Sequence, residues 1–400
     1  MKSLTIAVIL LALSAAAALP EAETVIDSPS PTLPRFLERP GYYQKRAIHN
    51  LTAGATGSMD SLRILAIRVA FQDRDFLDET ETYPPHDSIY FENELRHLRE
   101  YYYGASLESF RLITDLHHEV ILVSRTEGYY GSGEGGYDLL MSELMMEVVD
   151  STDSTTDFSR YGSFAVIHAG AGKETDIFGD SPDQIWSGFI DPDEVREALS
   201  DTLGTPGIPT DDMTGGNPFF IDNFLILPES SSQDGMTFGS LGIYAFQLGK
   251  RLGMLPMYDS TPSDFSDSQG IGNFGLMSYG LYNALGIVPA FPCGFNRYLM
   301  GWVEALPLEG EAAVELEGIN QPPGEGVRMA RIDIGTSEYF LLVNRDHDSN
   351  FNGLFDFGDI NGDGIPQNGD TLLGAEFDFF LTQENNPYTV GEDGRRRYQT

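Results

Sequence analysis

The sequence predicts an α/β (α+β) layered domain over residues 59–305, followed by a β-rich region over residues 306–400. Two observations carry this. Between 59 and 305, short and nearly continuous apolar runs alternate with segments whose apolar residues recur every three or four positions, the patterns of buried strands and one-sided helices. Beyond 306 the pattern changes to short alternating segments separated by turn residues, as in a small β domain.

Residues 1–18 carry Lys2, an apolar run at 4–13 and small residues at 14–18, the arrangement of a secretory signal peptide. The run is too short to span a membrane, and no later segment approaches the necessary length. Residues 19–58, with Ser28-Pro29-Ser30-Pro31, are a linker or pro-segment. Residues 62–71 (Ile64, Ala66, Val69, Ala70) form a strand buried on both faces, and 89–103 a helix with Phe91, Leu95, Leu98 and Tyr102 along one side. Strand character returns at 110–123, a second helix at 137–149, and further strands at 163–169, 186–190 and 217–227. Residues 238–259 hold a helix with Leu241, Ala245, Leu248 and Leu252 on one face, closed by Gly253 and Pro256. The β-rich region offers strands at 312–316, 327–334, 339–343 and 377–381, around an acidic insert at 346–370. The chain ends at Thr400 without a closing element, so a longer protein is expected, with cell-surface association through its C-terminal continuation.

Composition narrows the partners. Against 24 basic residues stand 61 acidic ones, a formal net charge of −37 that repels phosphate backbones and excludes nucleic acid as a natural partner. Such acidity suits solubility outside the cell and also the binding of divalent cations. Cys293 is the single cysteine, so stability comes from packing or bound ions and not from an internal disulfide. An export signal with no disulfide suits a bacterial secreted protein.

The helix within 238–259 belongs to a longer frame. Gly242-Ile243-Tyr244-Ala245, Leu248-Gly249, Leu252-Gly253 and Tyr258-Asp259 resemble the active-site helix of the immune inhibitor A family of secreted bacterial metallopeptidases (peptidase family M-six). Residues 270–280, Gly-Ile-Gly-Asn-Phe-Gly-Leu-Met-Ser-Tyr-Gly, are similar to that family's Met-turn, with Met277 as the methionine. Residues 289–302 resemble the helix after it, and 338–345 a strand further on; weaker echoes lie at 101–104 and 168–170. The resemblance covers roughly 60–345 and implies a zincin/metzincin-like fold, zinc and proteolysis.

The chemistry of the motif is missing. In H-E-x-x-H the two histidines, one turn apart, grip the metal and the glutamate serves as general base. Here Phe246 stands at the first histidine, Gln247 at the glutamate, Lys250 at the second histidine, and Pro256 at the family's third ligand, an aspartate. Phenylalanine has no lone pair, an ammonium repels a dication, and an amide takes no proton from water. Of the seven histidines only His347 lies beyond position 168, so a local shift of the motif restores nothing. The expectation is a pseudopeptidase without zinc that binds a protein or peptide. An active zinc metalloendopeptidase using other ligands is the alternative. Lys250 either fills a disused pocket or replaces the lost metal's charge by pairing with Asp259 or another carboxylate.

The acidic insert offers the clearest positive signal. Asp348, Asn350, Asn352, Gly353, Leu354, Asp356 and Asp359 fall at positions 1, 3, 5, 6, 7, 9 and 12 of a calcium loop; Asp359, Asn361, Asp363, Gly364, Ile365 and Asp370 fall at 1, 3, 5, 6, 7 and 12 of a second. Aspartate at position 12 and the shared Asp359 suit calcium-ordered loops of extracellular modules better than sensor hands. A calcium-stabilised cell-surface or matrix protein is therefore a third reading. His117, His118 and His168 lie in or beside apolar strands and are expected to be structural, as is Cys293.

Overall fold

The computed structural model describes residues 59–345 apart from 79, 83, 134–135, 201–203, 259–269, 322–323, 325 and 336–337, together with 4–8, 377–378, 388–390 and 396–398. In chain order the strands and helices are β1 (Leu4–Val8), β2 (Ser61–Ala70), α1 (Ser88–Ala105), β3 (Arg111–Leu122), α2 (Glu127–Gly131), α3 (Tyr137–Thr152), β4 (Ser163–Ala171), β5 (Gly188–Ile190), α4 (Pro192–Leu199), β6 (Ile208–Thr214), β7 (Asn217–Ile221), β8 (Phe224–Ser230), α5 (Leu241–Leu252), α6 (Gly294–Leu299), β9 (Leu306–Leu308), β10 (Ala312–Leu316), β11 (Met329–Asp333), β12 (Tyr339–Val343), β13 (Tyr388–Val390) and β14 (Arg396–Tyr398).

The main sheet has the order β3-β2-β4-β8-β5, parallel throughout except for β5, which runs antiparallel to β8. Side chains alternate between its two faces. Ile64 and Ala66 of β2, Ala165 and Ile167 of β4, and Leu225 and Leu227 of β8 share one core with α1 and α5. Their neighbours Leu65, Ile67 and Val69, Phe164 and Val166, and Phe224 and Ile226 share the other with α3 and α4. Helices on both faces explain why β2 and β4 are almost continuously apolar, since neither face meets water.

Helix starts are set locally. Asp87 caps α1, accepting the N–H groups of Ile89 and Tyr90 at 2.8 and 3.0 Å. Asp191 and Glu194 form a reciprocal capping box on α4, with Pro192 at its first turn. The sequence reading missed this helix, although the cap residues announce it. The 217–227 run divides into β7 and β8, and β6 pairs antiparallel with β7. Residues 289–302 are helical only over α6, because Pro289 and Pro292 lack the N–H a helix interior needs.

In the β-rich part, β11 lies between β12, antiparallel, and β9, parallel. Strands β10, β11 and β12 fall where the alternation places them. Phe377 and Asp378 form a turn instead of opening a strand, and 379–381 lie outside the described residues. So do the linker or pro-segment and the whole acidic insert at 346–370. β1 pairs antiparallel with β10, Leu4 opposite Leu316 through Val8 opposite Ala312. Among the described residues no helix is long and apolar enough to cross a membrane.

α5 lacks a side-chain cap, since Ser240 makes no capping bond; packing has to hold it. The Tyr102 hydroxyl donates to the Ala245 carbonyl at 2.6 Å, and the Tyr244 hydroxyl to the Pro228 carbonyl at 2.8 Å. Gly242 lets the backbone at Leu281 come close: a Cβ at 242 would stand 1.9 Å from the Leu281 carbonyl oxygen. Gly242→Ala is expected to destabilise the fold by about 1–3 kcal/mol through overpacking. A urea midpoint that falls with the slope unchanged checks it; an unchanged midpoint contradicts the close approach.

Candidate functional site

α5 carries three of the four positions of the expected metal site, and nearly all of the helix is buried: of its twelve residues only Arg251 is partly exposed. Phe246 is fully buried, Gln247 is 1% exposed and Lys250 is 7% exposed. The Lys250 Nζ lies 5.1 Å from the centre of the Phe246 ring, near enough for a cation–π attraction across one helical turn. The Gln247 Oε1 has no hydrogen-bond partner among the described residues. The helix ends at Gly253, whose left-handed φ of 93° lets its N–H reach the carbonyls of Gly249 and Lys250. Pro256 follows, half-buried, beside Leu255, whose N–H and carbonyl are both held by the Asn296 amide at 2.9 and 3.0 Å.

Met277 is fully buried against the middle of α5. A Cβ at Gly249 would lie 2.7 Å from its sulfur, and its carbonyl accepts the Met257 N–H at 2.8 Å. Thus the structure brings Phe246, Gln247, Lys250 and Met277 together on one helix and the turn packed against it.

The sequence reading missed a buried acid at this place. Glu174, on the short turn Lys173–Thr175, is 5% exposed; its carboxylate accepts from the Ser187 hydroxyl at 2.5 Å and the Ser187 N–H at 3.1 Å. Burial pushes the Glu174 carboxyl up, while the Ser187 bonds and the charge of Lys250 pull it back. The charge-replacement reading of Lys250 named Asp259 or another carboxylate; Asp259 lies outside the described residues, and Glu174 is a described acid that Lys250 acts on. No sequence periodicity marks Glu174. It lies far from α5 along the chain, and only the fold brings it within the field of Lys250.

The other candidates separate. His168 is fully buried, with its Nδ1 3.0 Å from the Ala169 carbonyl, and burial lowers its pKa to about 4, so it is neutral at physiological pH. His117 is buried beside the Glu119 backbone, and His118 is exposed. Cys293 is half-buried and free. The residues expected to bind calcium, Asp348 through Asp370, lie outside the described residues. Two other acidic trios have ligand atoms within 4.8 Å of one another and could hold a metal ion: Asp153 with Asp211 and Asp212, and Asp176 with Asp180 and Asp234. The Asp211-Asp212 pair was visible in the sequence, but its meeting with Asp153 was not. A cavity of about 460 Å3 lies away from α5, between Leu107, Trp302, Leu306 and Arg328.

No protein-family model matches this chain, and no curated protein matches it either.

The pull of the Lys250 charge on the Glu174 carboxyl gives an expected pH dependence. Lys250→Met removes the positive charge that pulls the Glu174 carboxyl down, so that pKa should rise further. Near pH 7 the variant then buries a less compensated carboxylate and should lose on the order of 1–3 kcal/mol. Because the folded pKa of Glu174 stands above its ordinary 4.5, the native state takes up the proton first as pH falls, and the loss should shrink toward pH 4.5. Urea unfolding of both proteins at the two pH values measures this. An equal loss at both would show that Lys250 does not act on Glu174.

Proposed function

We propose that this chain is a secreted, metallopeptidase-like protein that has lost its zinc ligands and general base, and that its scaffold is retained for binding a protein or peptide. The single observation that carries this reading is the occupation of the frame. Phe246 and Lys250 stand one turn apart, with Gln247 next to Phe246, on a buried helix backed by Met277, and none of the three offers a metal-ligating side chain of the motif. A catalytic zinc needs about three protein ligands and an open position for water. The Phe246 ring and the Lys250 ammonium offer neither. The buried site is a packed replacement in which a fixed cation stands where a metal ion would.

The zincin/metzincin-like fold is part of the same proposal. It draws support from a mixed sheet with one antiparallel edge strand, a helix ending in a left-handed glycine, and a buried methionine under that helix. Export and an extracellular location rest on the signal-like residues 1–18 and the strong acidity. Calcium held by the 348–370 ligands is proposed as the stabilising ion, in keeping with an acidic surface that gathers carboxylates elsewhere as well.

Restoring the motif tests the frame. A variant with Phe246→His, Gln247→Glu, Lys250→His and Pro256→Asp is expected to take up about one zinc per chain, while the parent, given zinc, hydrolyses casein no faster than a heat-denatured control. Chelator-sensitive hydrolysis by the parent would sink the proposal. A folded variant that takes up no zinc would show that these four positions are not a metal frame.

A further inference from the structure

Phe377 and Asp378 come after the acidic insert in sequence, yet Phe377 is 1% exposed in the core shared with α1 and α5, and Asp378 beside it is 2% exposed. The Phe377 ring meets Tyr101 edge-on at 5.0 Å and Phe291 at 4.9 Å. The adjacent carboxylate is gripped on both oxygens. Oδ1 accepts the Phe291 N–H at 3.3 Å and Arg345 Nη2; Oδ2 accepts Arg345 Nε at 3.1 Å and Asn320 Nδ2 at 2.6 Å. Asn320 is itself positioned, its oxygen accepting from Arg297 Nη2 at 2.8 Å. Arg297 is 1% exposed, with its guanidinium 4.9 Å over the Phe291 ring.

The charge balance shows how much depends on that carboxylate. Two cations, Arg297 and Arg345, face Asp378 inside the protein. Burial works to raise the Asp378 carboxyl, but Arg345 and then Arg297 hold it below the usual carboxylate range. Burial also lowers the Arg297 pKa to about 10. Without Asp378 both guanidinium groups would be desolvated with the facing carboxylate gone, which is far more costly than losing a surface pair. An aromatic slot beside a forked guanidinium, an amide and a backbone N–H is a peptide-reading arrangement: the slot selects a ring, and the fork selects a planar carboxylate one residue on.

We propose that Tyr101, Phe291, Asn320, Arg297 and Arg345 form a recognition pocket for a Phe–Asp pair. Phe377–Asp378 is its resident occupant, and a peptide carrying the same pair exchanges with it. This holds whether or not α5 is a former metal site. The pocket binds the C-terminal part of the chain to the layered domain non-covalently, so the two stay joined even if the chain between Arg345 and Phe377 is cut.

Cutting tests it. A protease recognition sequence is placed between Thr371 and Leu372 of the full chain, and the cut protein is passed over a sizing column. The two pieces are expected to co-elute. A large excess of acetylated Glu-Phe-Asp-Phe-Phe, residues 376–380, should release the smaller piece, whereas the same peptide with Asn for Asp should need at least about tenfold more (a single charge-assisted anchor being worth more than 1.4 kcal/mol). Asp378→Asn in the cut chain should weaken retention likewise. Three results overturn the proposal: separation on cutting while the large piece keeps the melting temperature of the intact protein, retention unaffected by Phe377→Ala with Asp378→Asn, or no displacement by the acidic peptide. The peptide arm uses the unsubstituted pocket and does not depend on any variant folding.

Discussion

Helix α5 is enclosed on nearly every side, and the neighbouring structure is arranged to keep it there. Its start has no side-chain cap, so its position comes from the sheet face beneath, from the Tyr102 and Tyr244 hydroxyls that reach backbone carbonyls, and from the close approach at Gly242. Burial of this kind makes an unmatched charge costly, although the Gln247 Oε1 is left without a partner among the described residues. Lys250 is matched by the Phe246 ring and the field of Glu174, and Glu174 by Ser187. Helix α5 is thus held by an arrangement of organic side chains.

The layered domain was legible because its strands are buried on both faces and its helices on one, which forces two distinct periodicities into the sequence. β2, β4, α1 and α3 lie where those periods place them. Shorter elements, set by local capping and turns, were harder to see. α4 is amphipathic over only eight residues and is announced by Asp191 and Glu194, whereas the helix expected at 289–302 was shortened by its prolines. At the site, Phe246, Gln247 and Lys250 were singled out because the glycines and apolar residues around them resemble the frame of a metallopeptidase helix, and Met277 because its turn is similar to the turn that follows such a helix. Glu174 was not, since only the return of the chain along the sheet brings it toward Lys250. The acidic trios were hidden for the same reason.

Two buried cation arrangements, one at Lys250 and one at Arg297 and Arg345, join distant parts of this chain without a disulfide. In the second, Asp378 gives the region after the acidic insert a fixed point inside the layered domain. A chain with a single cysteine and a strong negative charge has few other ways to fix its long excursions. Ion pairs buried in the core and ions bound at the surface are the two available, and both make the fold depend on charge being placed accurately.

The most direct measurement is elemental analysis of the purified protein after loading with both zinc and calcium and exhaustive dialysis. Calcium retained with zinc absent is the result expected if Phe246, Gln247 and Lys250 leave no zinc site and the proposed calcium ligands at 348–370 bind their ion. Zinc retained at one equivalent per chain would contradict it and favour the alternative of an active metallopeptidase.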